Sequence, residues 1–513
     1  MIWILHSNAE IIHSVQRDEI DIPDISGNPV KVFWQVCEKY PDELIGWMDV
    51  DLDIEVTSNW NEIFHHDLIM ASFPVKSKYI PDEIGYIDQL PFINPDYSVR
   101  YPTWQMSTDV GGIAGKVALR FRDILYGIKD FGYLLNSIAK IGQQNSLFCY
   151  SVPELVKDTS FEKKVHSAST QELFEFVGQH YKRIRLFLLI FCLIRYENRF
   201  PLFSFFSSLF KKSYFKQEID LSSLQVKTTS SSKDQKSIDV IIPTMGRPEH
   251  LHNVLKDLAS QTLLPQKVII VEQDPNENSN TKLDFIKTSE WPFLIIHHFI
   301  HKTGACNARN LAMKEVKSDY IFFADDDLRF SEDLLKRSLS EMERMNVDCL
   351  NLNCILPEGK TIFPRIKQWG AFGSGTSVVR SEFALKCEFS ELLEHGFGED
   401  IDFGMQLRSK GCDIIYHPDI TTIHLKAPVG GFRSISKDKW KKEGIEPKPS
   451  PTMMILIKKY YNPYMGKGYK AELFFRFYAK QSVKNPWIYI KKMKERWQLS
   501  DKIASQLLTH GKQ

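Results

Sequence analysis

From residue 238 onward the apolar positions switch repeatedly between a period of two and a period near 3.6, which predicts strands and helices in regular succession. "IDVIIP" reads as a buried strand. "RPEHLHNVLKDLASQ" follows, with Pro248 near a helix start and Leu251, Val254, Leu255 and Leu258 on one face. "KVIIVEQD" and "FLIIHHFI" predict two more strands, and "NARNLAMKEVKS" a helix that leads into the strand opening "YIFFADDDLRF". Ser331 is placed to N-cap the next helix, "EDLLKRSLSEMERM". Strands separated by helices imply a mostly parallel sheet with right-handed crossovers. Such sheets bind ligands beyond the carboxyl ends of their strands, where Asp325, Asp326 and Asp327 sit.

Elsewhere the pattern is less regular. "KTTSSSKDQKS" (227–237) is polar and Ser-rich, without apolar periodicity, and has the composition of a linker. "LFLLIFCLI" (186–194) falls short of the roughly 18–20 apolar residues that span a bilayer. It predicts a core helix. Its flanking Lys182, Arg183, Arg185 and Arg195, with the following "RFPLFSFFSSLFKK", leave a helix lying in a membrane interface as the second reading. The basic, aromatic tail 458–497 predicts helices packed with snorkelling lysines, or contact with an anionic membrane surface. Four regions follow: a smaller α/β domain over 1–160, a helical segment and linker over 161–236, the regular α/β domain over 237–435, and a helical basic tail over 436–513.

Composition narrows the class. With 513 residues, 43% hydrophobic and 25% charged, the chain is globular rather than disordered or many-pass membrane. A formal net charge of +1 predicts no general affinity for nucleic acid. Eight scattered cysteines without zinc-site spacing read as reduced thiols of a cytoplasmic protein. The start, "MIWILHSNAE", lacks a basic n-region and reads as no signal peptide.

Three adjacent carboxylates at a buried strand end repel one another unless something offsets their charge. Mg²⁺ and Mn²⁺ prefer oxygen ligands and bridge carboxylates to substrate phosphates. In an extended segment Asp325 and Asp327 point one way and Asp326 the other, so the spacing of two is the useful one. Downstream, "GFGEDIDFGMQLRSKG" puts Glu399 and Asp400 between glycines at a helix start. Dipole stabilisation explains carboxylates there, and so does a general base at a pocket mouth. His424, with Lys426, Gly430, Gly431 and Arg433 after it, offers an imidazole ligand and two cations suited to a metal–diphosphate complex.

Six of these segments, in order, resemble family 2 glycosyltransferases of the GT-A fold: "VIIPTMGRP", "VEQD", "HKTGACNARN", "ADDD", "GSGTSVVR" (373–380) and "GEDIDFGMQLRSKG". The resemblance implies an inverting, Mn²⁺- or Mg²⁺-dependent transfer from a nucleotide-sugar donor, a UDP-sugar first, to a glycan or lipid-linked acceptor. It implies that Asp327 ligates the metal, with Asp325 assisting and His424 as a third contact. Pro243, Thr244, Arg247, Glu272 and Asp274 would line the nucleotide pocket, with Gly304, Arg309, Asn310, Asp325 and Asp326 beside it. Asp400 would be the catalytic base and Glu399 would hold the acceptor or the loop. Glu272 stands where many relatives have Asp, which leaves the base preference open. A Gln-x-x-Arg-Trp motif is absent, so single-sugar transfer is expected. A sugar-phosphate nucleotidyltransferase and a non-catalytic scaffold are the alternatives, although "PTMGRP" is a poor phosphate loop for the former. The implied setting is cytoplasmic, or peripheral at the inner face of the membrane.

A repeat search sets "YPDELIGWMDVDL" beside "VKSDYIFFADDDL", with Asp49 on Asp325 and Asp51 on Asp327. "STDVGGIAGKVALR" then falls on "WGAFGSGTSVVRSE", and "KDFGYLLNSIAKIG" on "IDFGMQLRSKG". Gly127 and Ile128 replace Glu399 and Asp400, and no His matches His424. The expectation is a shortened, degenerate GT-A-like domain without a productive donor site.

Overall fold

The computed structural model describes residues 1–23, 25–157, 165–224, 236–394, 396–427, 440 and 444–510. Most of the Ser-rich stretch 227–237, together with Gly430, Gly431 and Arg433, lies outside the described residues. Two compact units form, one of Met1–Ser230 with Tyr461–Leu473 and one of Ser231–Tyr460 with Phe474–Gln513. This differs from the four regions read along the sequence. The helical segment after residue 161 is part of the first unit's core, and the tail is shared between the units.

The strands of the first unit are β1 Ile2–Ser7, β2 Ile11–Arg17, β3 Ile20–Asp21, β4 Leu44–Asp49, β5 Ile69–Phe73, β6 Ser77–Lys78, β7 Tyr101–Pro102, β8 Val110–Ala114, β9 Phe148–Ser151 and β10 Val165–His166. Eight form one sheet in the order β3-β2-β1-β4-β8-β5-β9-β7, and β6 pairs with β10. β5, β8 and β9 are buried along their whole length, as strands covered on both faces must be. Asn28 caps the helix Pro29–Lys39 by accepting from Lys31 N, and Pro29 begins it. That helix presses Val32, Phe33, Val36 and Cys37 into the core. Ser169 and Glu172 form a capping box for the helix Thr170–His180, whose Leu173, Phe174, Phe176 and Val177 join the same core.

The second unit carries β11 Ile238–Thr244, β12 Lys267–Gln273, β13 Leu294–Ile300, β14 Tyr320–Ala324, β15 Leu328–Phe330, β16 Cys349–Ile355, β17 Lys367–Gln368, β18 Thr376–Arg380 and β19 Ile415–His424. Their order is β13-β12-β11-β14-β18-β16-β19-β15, with β17 paired to β19. The four strands β13-β12-β11-β14 are parallel, as the alternation predicts. Beyond β14 the sheet is mixed: β18 is antiparallel to both β14 and β16, and β16 is parallel to β19. Leu251, Val254, Leu255 and Leu258 of the helix Pro248–Ala259 are fully buried. The helix Leu334–Met345 starts after Asp333 rather than Ser331. Ser331 Oγ donates to the Asp333 carboxylate (2.5 Å), and it is the Ser331 carbonyl that accepts from Leu334 N (3.2 Å). Among the described residues no helix is long and apolar enough to cross a membrane, and the eight cysteines form no disulfide.

Candidate active site

β14 ends at Ala324, and the chain turns through Asp325, Asp326 and Asp327 before β15. Because these residues sit in a turn, the alternation expected of an extended segment fails. Asp326 does not face away. It is buried, accepting from Thr244 Oγ1 (2.7 Å) and Arg247 Nη1 (2.9 Å). Burial pushes its carboxyl up to about 6 against the pull of those two donors.

Asp327 is also buried. Its Oδ2 accepts from Ala427 N (2.9 Å) and Arg247 Nη1 (3.2 Å), while Oδ1 lies 3.1 Å from His424 Nε2. Oδ1 receives no well-aligned hydrogen bond. Burial alone would raise the Asp327 carboxyl. His424, the Ala427 amide and Arg247 together outweigh it and hold the group at about 2. His424, held chiefly by Asp327, is raised to about 10. Asp325 is about a third exposed and accepts from Arg309 Nη2 (3.1 Å). Ligand atoms of Asp325, Asp327 and His424 all lie within 4.8 Å of one another. Two carboxylates and an imidazole, one carboxylate oxygen orphaned, are a donor set that fits a divalent cation such as Mn²⁺ or Mg²⁺.

The start of β18 reaches the same place. Asp325 N donates to Gly375 O (3.2 Å), and a Cβ on Gly375 would collide with the Asp325 carboxylate. Only glycine permits that approach. Ser374 N in turn donates to Asp400 Oδ1 (3.3 Å). Asp400 and Glu399 occupy the first turn of the helix Glu399–Arg408, after Gly398 at φ 112°. Burial raises both carboxyls, offset at Asp400 by Arg309 and reinforced at Glu399 by its neighbour Asp400.

One cavity of about 340 Å³ joins these groups: Asp325, Asp326, Asp327, His424, Glu399 and Asp400 all line it, along with Pro243, Arg247 and Arg309. Other expected residues stand elsewhere. Glu272 is buried under the nearby loop, accepting from Thr281 Oγ1 (2.5 Å), Lys282 N (3.0 Å) and His297 (3.0 Å). Those contacts overcome its burial and keep the carboxyl below its ordinary value. Asp274 accepts from Asn276 N in a turn, and Asn310 pins Phe389 through both its amide atoms. Thr244 reaches the site through Asp326, and Gly304, at φ 143°, lies just before the lining residue Ala305. Glu394 was not singled out by the sequence. It lines the cavity and accepts from Cys306 N (3.2 Å) and Asn307 N (3.0 Å), which caps the helix Ala305–Met313. Its place in "ELLEHGFGED", five residues before Glu399, was the only available signal.

Residues 239–383 match the profile of Glycosyl transferase family 2. That segment takes in the four parallel strands and the start of the mixed half that they join at β14. The match ends before the helix Glu399–Arg408 and His424. A poly(ribitol-phosphate) beta-N-acetylglucosaminyltransferase, TarP of Staphylococcus aureus (strain N315), is 27% identical over 152 residues, which cover 29% of this chain and 41% of TarP. The chain thus spans about two fifths of that curated relative. Among solved structures, S. aureus TarS 1–349 in complex with UDP-GlcNAc is 16% identical, covering 53% of this chain and 83% of that one at a TM-score of 0.38. GalNAc-T7 with UDP, GalNAc and Mn²⁺ is 11% identical, covering 56% and 63% at a TM-score of 0.39.

Proposed function

We propose that the family 2 domain is an inverting glycosyltransferase that moves one sugar from a UDP-sugar to a hydroxyl of a glycan or lipid-linked acceptor. The observation that carries this reading is the single cavity lined by Asp325, Asp327 and His424 and also by Glu399 and Asp400. TarP, by its name an N-acetylglucosaminyltransferase, makes UDP-GlcNAc the first donor to test. Asp325, Asp327 and His424 would hold a divalent cation, which supplies charge neutralisation for the departing diphosphate. Arg309 bonds Asp325 and Arg247 bonds both Asp326 and Asp327, which offsets the mutual repulsion of the three carboxylates.

Inversion by direct displacement needs a base that takes the acceptor hydroxyl's proton as the new bond forms. Asp325 and Asp327 are occupied by Arg309, Arg247 and His424, and Asp326 by Thr244 and Arg247. Asp400 has the acceptor-side position and a raised proton affinity, which suits it to receive that proton. Asp400→Asn keeps size and hydrogen bonding but removes basicity. Transfer should fall by at least ~10²-fold with donor affinity nearly unchanged. Near-normal transfer, or donor affinity lost in step with rate, takes the base role from Asp400.

A further inference from the structure

The first unit carries an apolar surface that its own fold leaves uncovered. The helix Ile184–Glu197 sends Leu186, Leu189 and Leu193 into the core, where they are fully buried. Its opposite face is apolar too, with Ile184, Phe187 and Phe191 exposed. A helix that is apolar all round is one whose outer face is also covered. The helix Leu202–Leu209 extends the surface. Phe187 packs edge-on to Phe205 at 5.1 Å between ring centroids, and Phe205 to Phe206 at 5.2 Å. Phe203 is 82% exposed, Phe210 85% and Phe200 67%. A contiguous patch of this kind marks an interaction site rather than scattered surface residues.

Charge identifies the occupant. Between Lys182 and Lys216 the sequence holds eight cations and one carboxylate, Glu197; Arg185, Arg199 and Lys211 are paired with Glu472, Glu83 and Glu175, which leaves the other five to set the sign of the surface. Arg183 donates to Leu209 O and, at 3.2 Å, to Lys211 O, which ties the start of the first helix to the end of the second. Lys182, Arg183, Lys211 and Lys212 therefore share one edge of the aromatic face. Lysine is depleted from protein–protein contact surfaces, whereas phenylalanine bordered by lysine suits the boundary between headgroups and acyl chains.

We infer that this face, built from residues 184–210, seats the first unit on an anionic lipid bilayer, with the phenylalanines in the acyl boundary and the basic edge on the headgroups. The inference stands apart from the transfer reading, since none of these residues lines the cavity. It also differs from docking through the tail, where Trp487 and Ile488 are exposed next to Lys491 and Lys492.

Flotation of the full chain with vesicles of phosphatidylcholine, with and without phosphatidylglycerol, tests it. The wild type should float with the anionic vesicles, and Phe203→Ser/Phe206→Ser/Phe210→Ser should lower the partition coefficient at least ~10-fold. Lys182→Glu/Lys212→Glu should lower it by about fivefold per cation, only on anionic vesicles, and raised salt should do the same. Because these side chains are exposed, the melting temperature should not move, and Phe203→Ser alone should still weaken flotation. Unchanged flotation of the triple variant overturns the assignment. So does loss of flotation confined to Lys491→Glu/Lys492→Glu, or a wild type that ignores vesicles and forms a dimer that the triple variant dissolves.

Discussion

The two units carry the same central strands and opposite fates for the same carboxylates. β1-β4-β8-β5-β9 runs parallel, antiparallel, antiparallel, parallel, and β11-β14-β18-β16-β19 repeats that sequence of directions. Leu44 pairs with Ala114 as Tyr320 pairs with Arg380, so Asp49 falls on Asp325 and Asp51 on Asp327. The amide of each leading Asp donates across to the matching position: Asp49 N to Asp109 O (2.8 Å), Asp325 N to Gly375 O (3.2 Å). Past β1, however, the chain turns back into the antiparallel β2, where the second unit continues into the parallel β12 and β13. The hairpin turn then fills the carboxylates. Asn8 N donates to Asp49 (3.1 Å), Asn8 Nδ2 to Asp51 (2.8 Å), and Ser7 Oγ to Asp51. In the second unit Asp327 Oδ1 receives no well-aligned hydrogen bond, and that acceptor stays open to a ligand.

The largest effect expected from this comparison is at Asp327. Asp327→Ala removes the group shared by His424, Arg247 and the Ala427 amide, and donor turnover should drop below detection. Isothermal titration with Mn²⁺ and UDP-GlcNAc should show metal-dependent donor binding lost as well. Retained metal dependence would mean that the cation is held elsewhere.

Asp326→Ala should come second, and the sequence alone pointed the other way. Read as an extended strand, Asp326 is a spectator. In the turn it is buried between Thr244 and Arg247, and its loss leaves a buried guanidinium short of a partner. A stability loss of about 1–3 kcal/mol in denaturant unfolding, with weakened donor binding, is expected. A neutral outcome in both would restore the spectator reading. Legibility divides along the same line. The helix Pro248–Ala259 and strands β11 to β14 follow from periodicity, because apolar spacing reports burial directly. The turn at Asp325–Asp327 and the capping by Glu394 depend on contacts distant in sequence, which spacing does not encode. The repeat was readable from "DVDL" against "DDDL", yet its β8 segment was misaligned. The strand register sets Ala114 on Arg380, not on Thr376.

The histidines near the two carboxylate pairs should titrate in opposite senses. Asp327 raises His424 to about 10, whereas burial lowers His6 despite Asp49 close by. In metal-free protein the His424–Asp327 contact contributes stability fully below the unfolded value near 6.5 and loses it as pH rises towards about 10. A cation that takes His424 as ligand must displace that proton, so Mn²⁺ affinity should rise by up to about tenfold per pH unit between pH 6 and 8. His424→Gln should flatten that slope, and a flat slope in the wild type would remove His424 from the ligand set. His6→Gln should leave it unchanged.

The smallest effect should come from the first unit's own pair. Asp49→Ala/Asp51→Ala deletes two carboxylates at the register positions of Asp325 and Asp327. Everything a donor would need around them is missing. The parallel strands β12 and β13 are replaced by β2 and β3, and Gly127 and Ile128 stand in the place of Glu399 and Asp400. The carboxylates instead fasten the turn at Asn8 to the end of β4. Losing those partly exposed bonds should cost about 0.5–1.5 kcal/mol each in unfolding of the first unit. Donor affinity and transfer rate of the full chain should stay within twofold of wild type. A large loss of donor binding with the fold intact would show a second live nucleotide site, and the hairpin at Asn8 would then have to open to admit it.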